Sequence, residues 1–245
     1  MKLSEKTKFI SNWIKLYVDQ MPNKAESLVI GISGGIDSSV SSTLSAMTGI
    51  KTIVLTMPIR QKGNQHDLSL KHQEWLLKNF KNVEAHTVNL DKLFETFSST
   101  LSKFNNEHGF ANSRARLRMT TLYQVAAANK GIVVGTGNKV EDFGVGFYTK
   151  YGDGGVDISP IADCNKTEVW ELGKELDILK EIIDAPPTDG LWDDGRTDEG
   201  QLGFKYKDLE DAMKNQNSPH RQEYEKIRKQ NLHKMEPIPV CKIPS

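Results

Sequence analysis

The chain has 245 residues, 37% hydrophobic and 26% charged, enough for one sizeable core rather than two small ones. Lys+Arg and Asp+Glu each total 32, so the formal net charge is zero. That balance argues against bulk nucleic-acid binding, which needs excess cationic surface, but leaves room for a local cationic pocket. Cys164 and Cys241 stand far apart with no C-x-x-C pairing, so two reduced thiols are expected rather than a disulfide scaffold or a zinc site. No apolar run approaches the ~20 residues that cross a bilayer, and the N-terminus has no apolar signal core, so a soluble, cytoplasmic protein is expected.

Phe9, Ile10, Trp13, Ile14, Tyr17, Val18 and Met21 recur at helical spacing, and Pro22 ends the pattern; the stripe reads as core or a dimer contact. Four short apolar runs follow as strands: 27–32, 52–55, the weaker 83–88, and 131–135. Helical patterns lie between them at about 36–47, 68–80, 90–104 and 114–129. Alternating strands and helices imply right-handed crossovers, hence a Rossmann-like α/β fold: a parallel sheet with helices on both faces in a single domain spanning 1–245. Ligand sites in such sheets form beyond the carboxyl ends of the strands, so the loops after Ile32, Leu55 and Gly135 should converge. Beyond Val156 the pattern turns helical: Asn165 can cap a helix through Leu176, 209–213 and 224–230 are helical pieces, and the tail 237–244 is extended.

Ser33-Gly34-Gly35-Ile36-Asp37-Ser38 lies directly between a buried strand and a helix. Its glycines let the backbone turn sharply, and free N–H groups at the helix start together with the Ser33 and Ser38 hydroxyls suit a phosphate. Asp37 would repel a bare phosphate but makes sense if Mg²⁺ sits between the two. Neither a Walker lysine nor the three-glycine dinucleotide fingerprint is present.

This S-G-G-x-D-S loop resembles the PP-loop of the ATP pyrophosphatases, which cleave ATP between the α and β phosphates to adenylate a substrate oxygen. Alone it identifies that superfamily and no substrate. A second segment narrows the choice: Gly135-Thr136-Gly137-Asn138-Lys139-Val140-Glu141, then Thr149-Lys150-Tyr151-Gly152-Asp153-Gly154-Gly155-Val156-Asp157. It resembles the NH3-dependent NAD synthetase family signature, G-T-x-x-x-x-E followed by T-K-x-G-D-G-x-x-D. Residues 115–119, 160–166, 187–189, 197–199 and 233–234 extend the resemblance over nearly the whole chain.

The resemblance implies a nucleotide alpha hydrolase-like fold and ATP-dependent amidation of deamido-NAD to NAD by ammonia, releasing AMP and pyrophosphate. It implies ATP contacts from Gly31, Ile32, the loop Ser33, Gly34, Gly35, Ile36, Asp37 and Ser38, and from Thr136, Lys166 and Thr188. Asp37 and Glu141 would hold Mg²⁺, and Lys166 would counter charge on the leaving pyrophosphate. Arg116, Lys150, Asp157, His233 and Lys234 resemble the deamido-NAD contacts, with Asp157 also a candidate to assist ammonia. The family places the His-Lys pair in the partner subunit's site, so a homodimer with composite active sites is expected. Some members carry an arginine just before the Leu-Pro that follows the second strand; here that position is Thr56 and Met57 precedes Pro58, with Arg60 two residues beyond. The polar stretches 61–65 and 188–200 flank the expected site and read as mobile loops.

Overall fold

The computed structural model describes residues 1–244 except 61–62, 189 and 193–195, and leaves aside the side chains of 63–65. Four parallel strands make one sheet: β1 (Ser27–Gly31), β2 (Lys51–Thr56), β3 (Val83–Thr87) and β4 (Gly131–Val133), in the order β3-β2-β1-β4. Their register pairs Val29 with Ile53 on one side and with Val133 on the other. Side chains alternate between the two faces, as the strand period demands. Leu28, Ile30, Val54 and Ile132 enter one core; Val29, Ile53, Leu55 and Val133 enter the other. Each fully buried aliphatic side chain is worth about 1.5–3 kcal/mol of transfer free energy, which is why the central strands are apolar on both faces.

The first core is covered by α1 (Leu3–Gln20), α2 (Ile36–Ala46), α3 (Gly63–Asn79) and α6 (Lys166–Glu175); the second by α4 (Asp91–Thr100) and α5 (Glu107–Ala128). Ile10, Ile14 and Val18 bury the inner stripe of α1, whereas Phe9, Trp13 and Tyr17 remain exposed. The expected helix over 90–104 stops at Thr100 and continues as a 3-10 turn, Ser102–Phe104. The one expected from Arg114 begins at Glu107, because the Asn106 side chain accepts the Gly109 N–H at 2.7 Å and caps it. After α7 (Lys180–Ile183) and α8 (Asp198–Leu202), α9 (Tyr206–Lys214) and α10 (Arg221–Met235) pack with a π-helix (Lys139–Val145) into a third small core around Val140, Tyr206 and Leu209. Among the described residues no helix is long and apolar enough to cross a membrane.

Strand order decides where a ligand can go. From β1 the chain steps outward through β2 to β3, then returns to place β4 on the other side of β1. The loops after β1 and β4 therefore part at the carboxyl edge of the sheet and leave a crevice there.

His72 of α3 is fully buried, its Nε2 3.0 Å from the Ser42 Oγ of α2 and its ring stacked on Trp75. Burial pushes its pKa down to about 4 from the ordinary 6.5. The unfolded chain therefore takes up this proton first as pH falls, and the stability is present above about pH 6.5 and lost towards pH 4. We expect urea midpoints to register about 2 kcal/mol of loss between pH 7 and pH 5 in the native chain that is absent from His72→Gln.

Candidate active site

The turn after β1 is built by its own sequence. Gly34 takes φ +90°, a left-handed conformation open to glycine, and lets the chain double back into α2. Ser38 Oγ accepts the Ser33 N–H at 3.2 Å and lies 3.1 Å from Ser33 Oγ, while Ser33 Oγ accepts the Gly35 N–H at 3.2 Å. The result is a closed loop of hydroxyls and amides at a helix N-terminus, an arrangement that takes an anion readily. A cleft of about 220 Å³ opens beside it, lined by Gly31, Ile32, Ser33, Asp37 and Ser38 from this side and by Thr136, Gly137 and Glu141 from beyond β4.

Lys166, at the first position of α6, is 1% exposed, and its Nζ donates to Asp37 Oδ2 at 2.5 Å and to Glu141 Oε1 at 2.9 Å. Burial alone would favour the neutral amine, but the two carboxylates hold it charged and raise its pKa. Burial pushes the Asp37 pKa up, with the Glu141 charge adding and Lys166 opposing. Glu141 ends below the usual carboxylate range: burial opposes its charge, but Lys166, the Tyr206 hydroxyl and Asn138 outweigh it. Asn138 ties the parts together, its amide donating to Asp37 Oδ1 at 3.1 Å while its carbonyl oxygen accepts the N–H groups of Val140 and Glu141. A Cβ on Gly137 would come within 1.8 Å of the Asp142 carboxylate, so the π-helix can fold this tightly only over a glycine. Asp142 is half-buried, and desolvation together with the charges of Asp153, Glu141 and Asp37 holds its pKa well above normal.

The remaining expected residues separate into groups. Thr136 and Thr188 line the cleft, and Thr188 Oγ1 is buried with no hydrogen-bond partner among the described residues. Asp189 lies outside the described residues. Of the expected mobile loops, 61–62 and 193–195 also lie outside them. Gly34, Gly35, Ile36 and Lys166 are not in the lining; the Ile36 side chain belongs to the core against α6. Arg116, Lys150, His233 and Lys234 gather into one cationic cluster: Arg116 Nε donates to the Lys150 carbonyl at 3.3 Å, and Lys150 Nζ to the His233 carbonyl at 3.1 Å. Lys234 Nζ donates to the Tyr148 carbonyl at 2.9 Å, and burial lowers its pKa against the pull of Asp153 and Asp142. Asp157 directly follows Val156, a lining residue of the cleft. Its carboxylate accepts the Val133 N–H at 2.7 Å and the Tyr123 hydroxyl at 3.0 Å, and it is not among the cleft's lining residues. Burial, aided by the Asp157 charge and hydrogen bond, pushes the Tyr123 pKa up to about 12. Arg60 lines a separate trough over the Phe94 ring, whereas Arg118 of α5 reaches the cleft and donates to the Met57 carbonyl at 3.0 Å.

A family model described as NAD synthase matches residues 6–243. The chain belongs to the NAD synthase family. It is 38% identical over 211 residues to an NH3-dependent NAD+ synthetase of Carboxydothermus hydrogenoformans, covering 84% of this chain and 83% of that one. To the enzyme of the same description from Alkaliphilus metalliredigens it is 33% identical, across 98% and 99% of the two chains. Among solved structures, the NMN synthetase of Francisella tularensis superposes with a TM-score of 0.91 at 33% identity, over 99% of this chain and all of that one.

The NAD synthase family motifs assign roles to Asp37, Glu141 and Lys166, include Asp198 within the matched segment 197–199 without a role, and give none to Tyr206. The Tyr206 hydroxyl donates to Glu141 Oε1 at 2.5 Å, and Asp198 lines the cleft. Among the described residues no group of three or more His, Cys, Asp or Glu is placed to hold a metal ion. Asp37 and Glu141 nonetheless converge on one cation, the Lys166 ammonium, and two hard oxygen donors of this kind fit Mg²⁺ that also binds phosphate oxygens.

Removing Lys166 leaves two buried carboxylates without their counter-charge. Lys166→Met should therefore lose about 3–5 kcal/mol in denaturant unfolding without nucleotide. A loss below about 1 kcal/mol, the scale of a surface pair, would mean that water already solvates the carboxylates.

Proposed function

We propose that this protein amidates the nicotinate carboxylate of deamido-NAD with ammonia at the expense of ATP, yielding NAD, AMP and pyrophosphate. The observation that carries this reading is the meeting, in one cleft, of the Ser33–Ser38 loop with Glu141, within a chain matched to the NAD synthase family almost end to end. The substrate carboxylate attacks the α-phosphorus, pyrophosphate leaves, and an acyl adenylate forms. Ammonia then attacks the acyl carbon and expels AMP. No protein nucleophile is required, so catalysis rests on positioning and charge.

In this reading the loop amides and the Ser33, Ser38, Thr136 and Thr188 hydroxyls hold the triphosphate, with Gly31 and Ile32 at the loop entrance. Asp37 and Glu141 hold Mg²⁺, which when bound withdraws charge from the phosphate oxygens. Lys166 is the cation assigned to the charge that builds on pyrophosphate. Arg116, Lys150, His233 and Lys234 form a surface suited to a dinucleotide pyrophosphate, and Asp157 is assigned to a polar group of the same substrate. In this reading, as the family resemblance implies, the protein is a homodimer in which one protomer's His233 and Lys234 serve its partner's site. The site is that of a soluble biosynthetic enzyme working in the cytoplasm.

The likeness to the Francisella NMN synthetase favours a second reading, in which nicotinate mononucleotide is the substrate. The reacting carboxylate, ATP and ammonia are common to both, and only the adenosine half differs. Purified protein assayed with ATP, Mg²⁺ and ammonium should form amide in step with AMP, and kcat/KM for deamido-NAD against nicotinate mononucleotide decides the substrate. A ratio above ten supports the dinucleotide, one below a tenth the mononucleotide, and amide from neither overturns the function. Asp37→Asn and Glu141→Gln should each lower kcat/KM at least about 100-fold, the scale on which electrostatic groups at a reacting phosphate act.

A further inference from the structure

α9 carries no recognised motif, yet it grips the ionic cluster at two points. Tyr206, at its start, is 1% exposed, with its hydroxyl 2.5 Å from Glu141 Oε1 and 3.4 Å from Asp198 Oδ2. One hydroxyl has one proton to give, and the shorter contact assigns it to Glu141. One turn on, the Glu210 carboxylate accepts the Thr167 N–H at 2.9 Å and the Thr167 hydroxyl at 2.6 Å, fixing the first turn of α6 just beyond Lys166. The helix itself is pinned, since the Tyr206 N–H donates to Glu199 Oε1 at 3.0 Å and Leu209 is fully buried in the third core. The Tyr206 ring also lies 4.9 Å beneath the Lys166 ammonium.

We infer that Tyr206 is a positioning residue for the metal-binding carboxylate: its hydroxyl holds Glu141 by Oε1 in the orientation that presents the carboxylate to Mg²⁺ in the cleft. The inference rests on Glu141 being a metal ligand, as proposed above. The Tyr206 hydroxyl is enclosed in the third core, and Glu141 Oε1 is the nearer of its two acceptors. Partners behind a metal ligand fix its geometry, and their loss typically costs 10–100-fold in metal affinity. A hydroxyl that merely filled core space would leave metal affinity unchanged.

Tyr206→Phe isolates the effect, because it keeps the ring, its packing and the contact with Lys166. Mn²⁺ is titrated, by electron paramagnetic resonance, into the full-length protein saturated with a non-hydrolysable ATP analogue. The native chain is compared with Tyr206→Phe, Glu141→Gln and Leu209→Ala, the last a control for general loosening of α9. We expect about 10-fold weaker Mn²⁺ binding in Tyr206→Phe. Its metal concentration for half-maximal turnover should rise in parallel, with kcat largely restored at saturating metal. Leu209→Ala should melt earlier and bind Mn²⁺ as the native chain does. A native midpoint in Tyr206→Phe alongside a shifted one in Glu141→Gln overturns the positioning role alone. Equal shifts in Tyr206→Phe and Leu209→Ala overturn it as well, since loosening would then suffice. No shift in Glu141→Gln removes the metal assignment, and the inference with it.

Discussion

The geometry of the site depends on one buried ammonium. Asp37 lies in the first turn of α2, Glu141 lies in the π-helix beyond β4, and Lys166 starts α6, so three segments distant in sequence meet through a single charge. Two carboxylates in so enclosed a place would repel each other and favour protonation; the lysine between them opposes that and holds the pair in register, with Glu141 below and Asp37 above the usual carboxylate range. Placing it at the start of a helix opposes the helix dipole, a local cost that the carboxylates and the facing Tyr206 ring offset. The same two contacts bring the phosphate loop and the Glu141 segment into one cleft, so fold and chemistry share one interaction.

Packing around this triad explains why the surrounding elements are short and irregular. The 139–145 segment is a π-helix started by Asn138 and closed over Gly137, so that successive residues can send Glu141 to Lys166 and Asp142 into the cleft wall. α9 and α10 then seal the far side through Tyr206, Leu209 and Tyr224. α10 also delivers His233 and Lys234 to the edge where Tyr148 and Lys150 lie. The cationic surface and the triad are thus linked through the third core rather than by direct contact.

Physical reasons separate what the sequence made legible from what it hid. β1 and β2 stood out because central parallel strands are buried on both faces, whereas β3, at a sheet edge with Glu84 and His86 half exposed, carried a weak signal. β4 is only three residues long: Val134 still donates its N–H to the Val29 carbonyl and forms an isolated bridge with Ile158. The start of α5 escaped notice because its first turns, from Glu107 to Ser113, hold few apolar residues to set a period. Asp37 and Glu141 were visible through motifs whose chemistry is local. Tyr206 was not, because it stands at the start of a short amphipathic helix with no motif, and the partner that gives its hydroxyl meaning is 65 residues away. Asp157 illustrates the converse: it sits in the motif, yet both its oxygens bond to β4 and α5 outside the cleft lining.

The central claim is that the cleft serves attack of a substrate carboxylate on the α-phosphorus of ATP. Substrate labelled with ¹⁸O in the nicotinate carboxylate, turned over with ATP and ammonium, tests it directly by mass spectrometry of the products. The account predicts one ¹⁸O in AMP per amide formed and none in pyrophosphate. Label in inorganic phosphate accompanied by ADP would contradict it, since the carboxylate would then have attacked the γ-phosphorus.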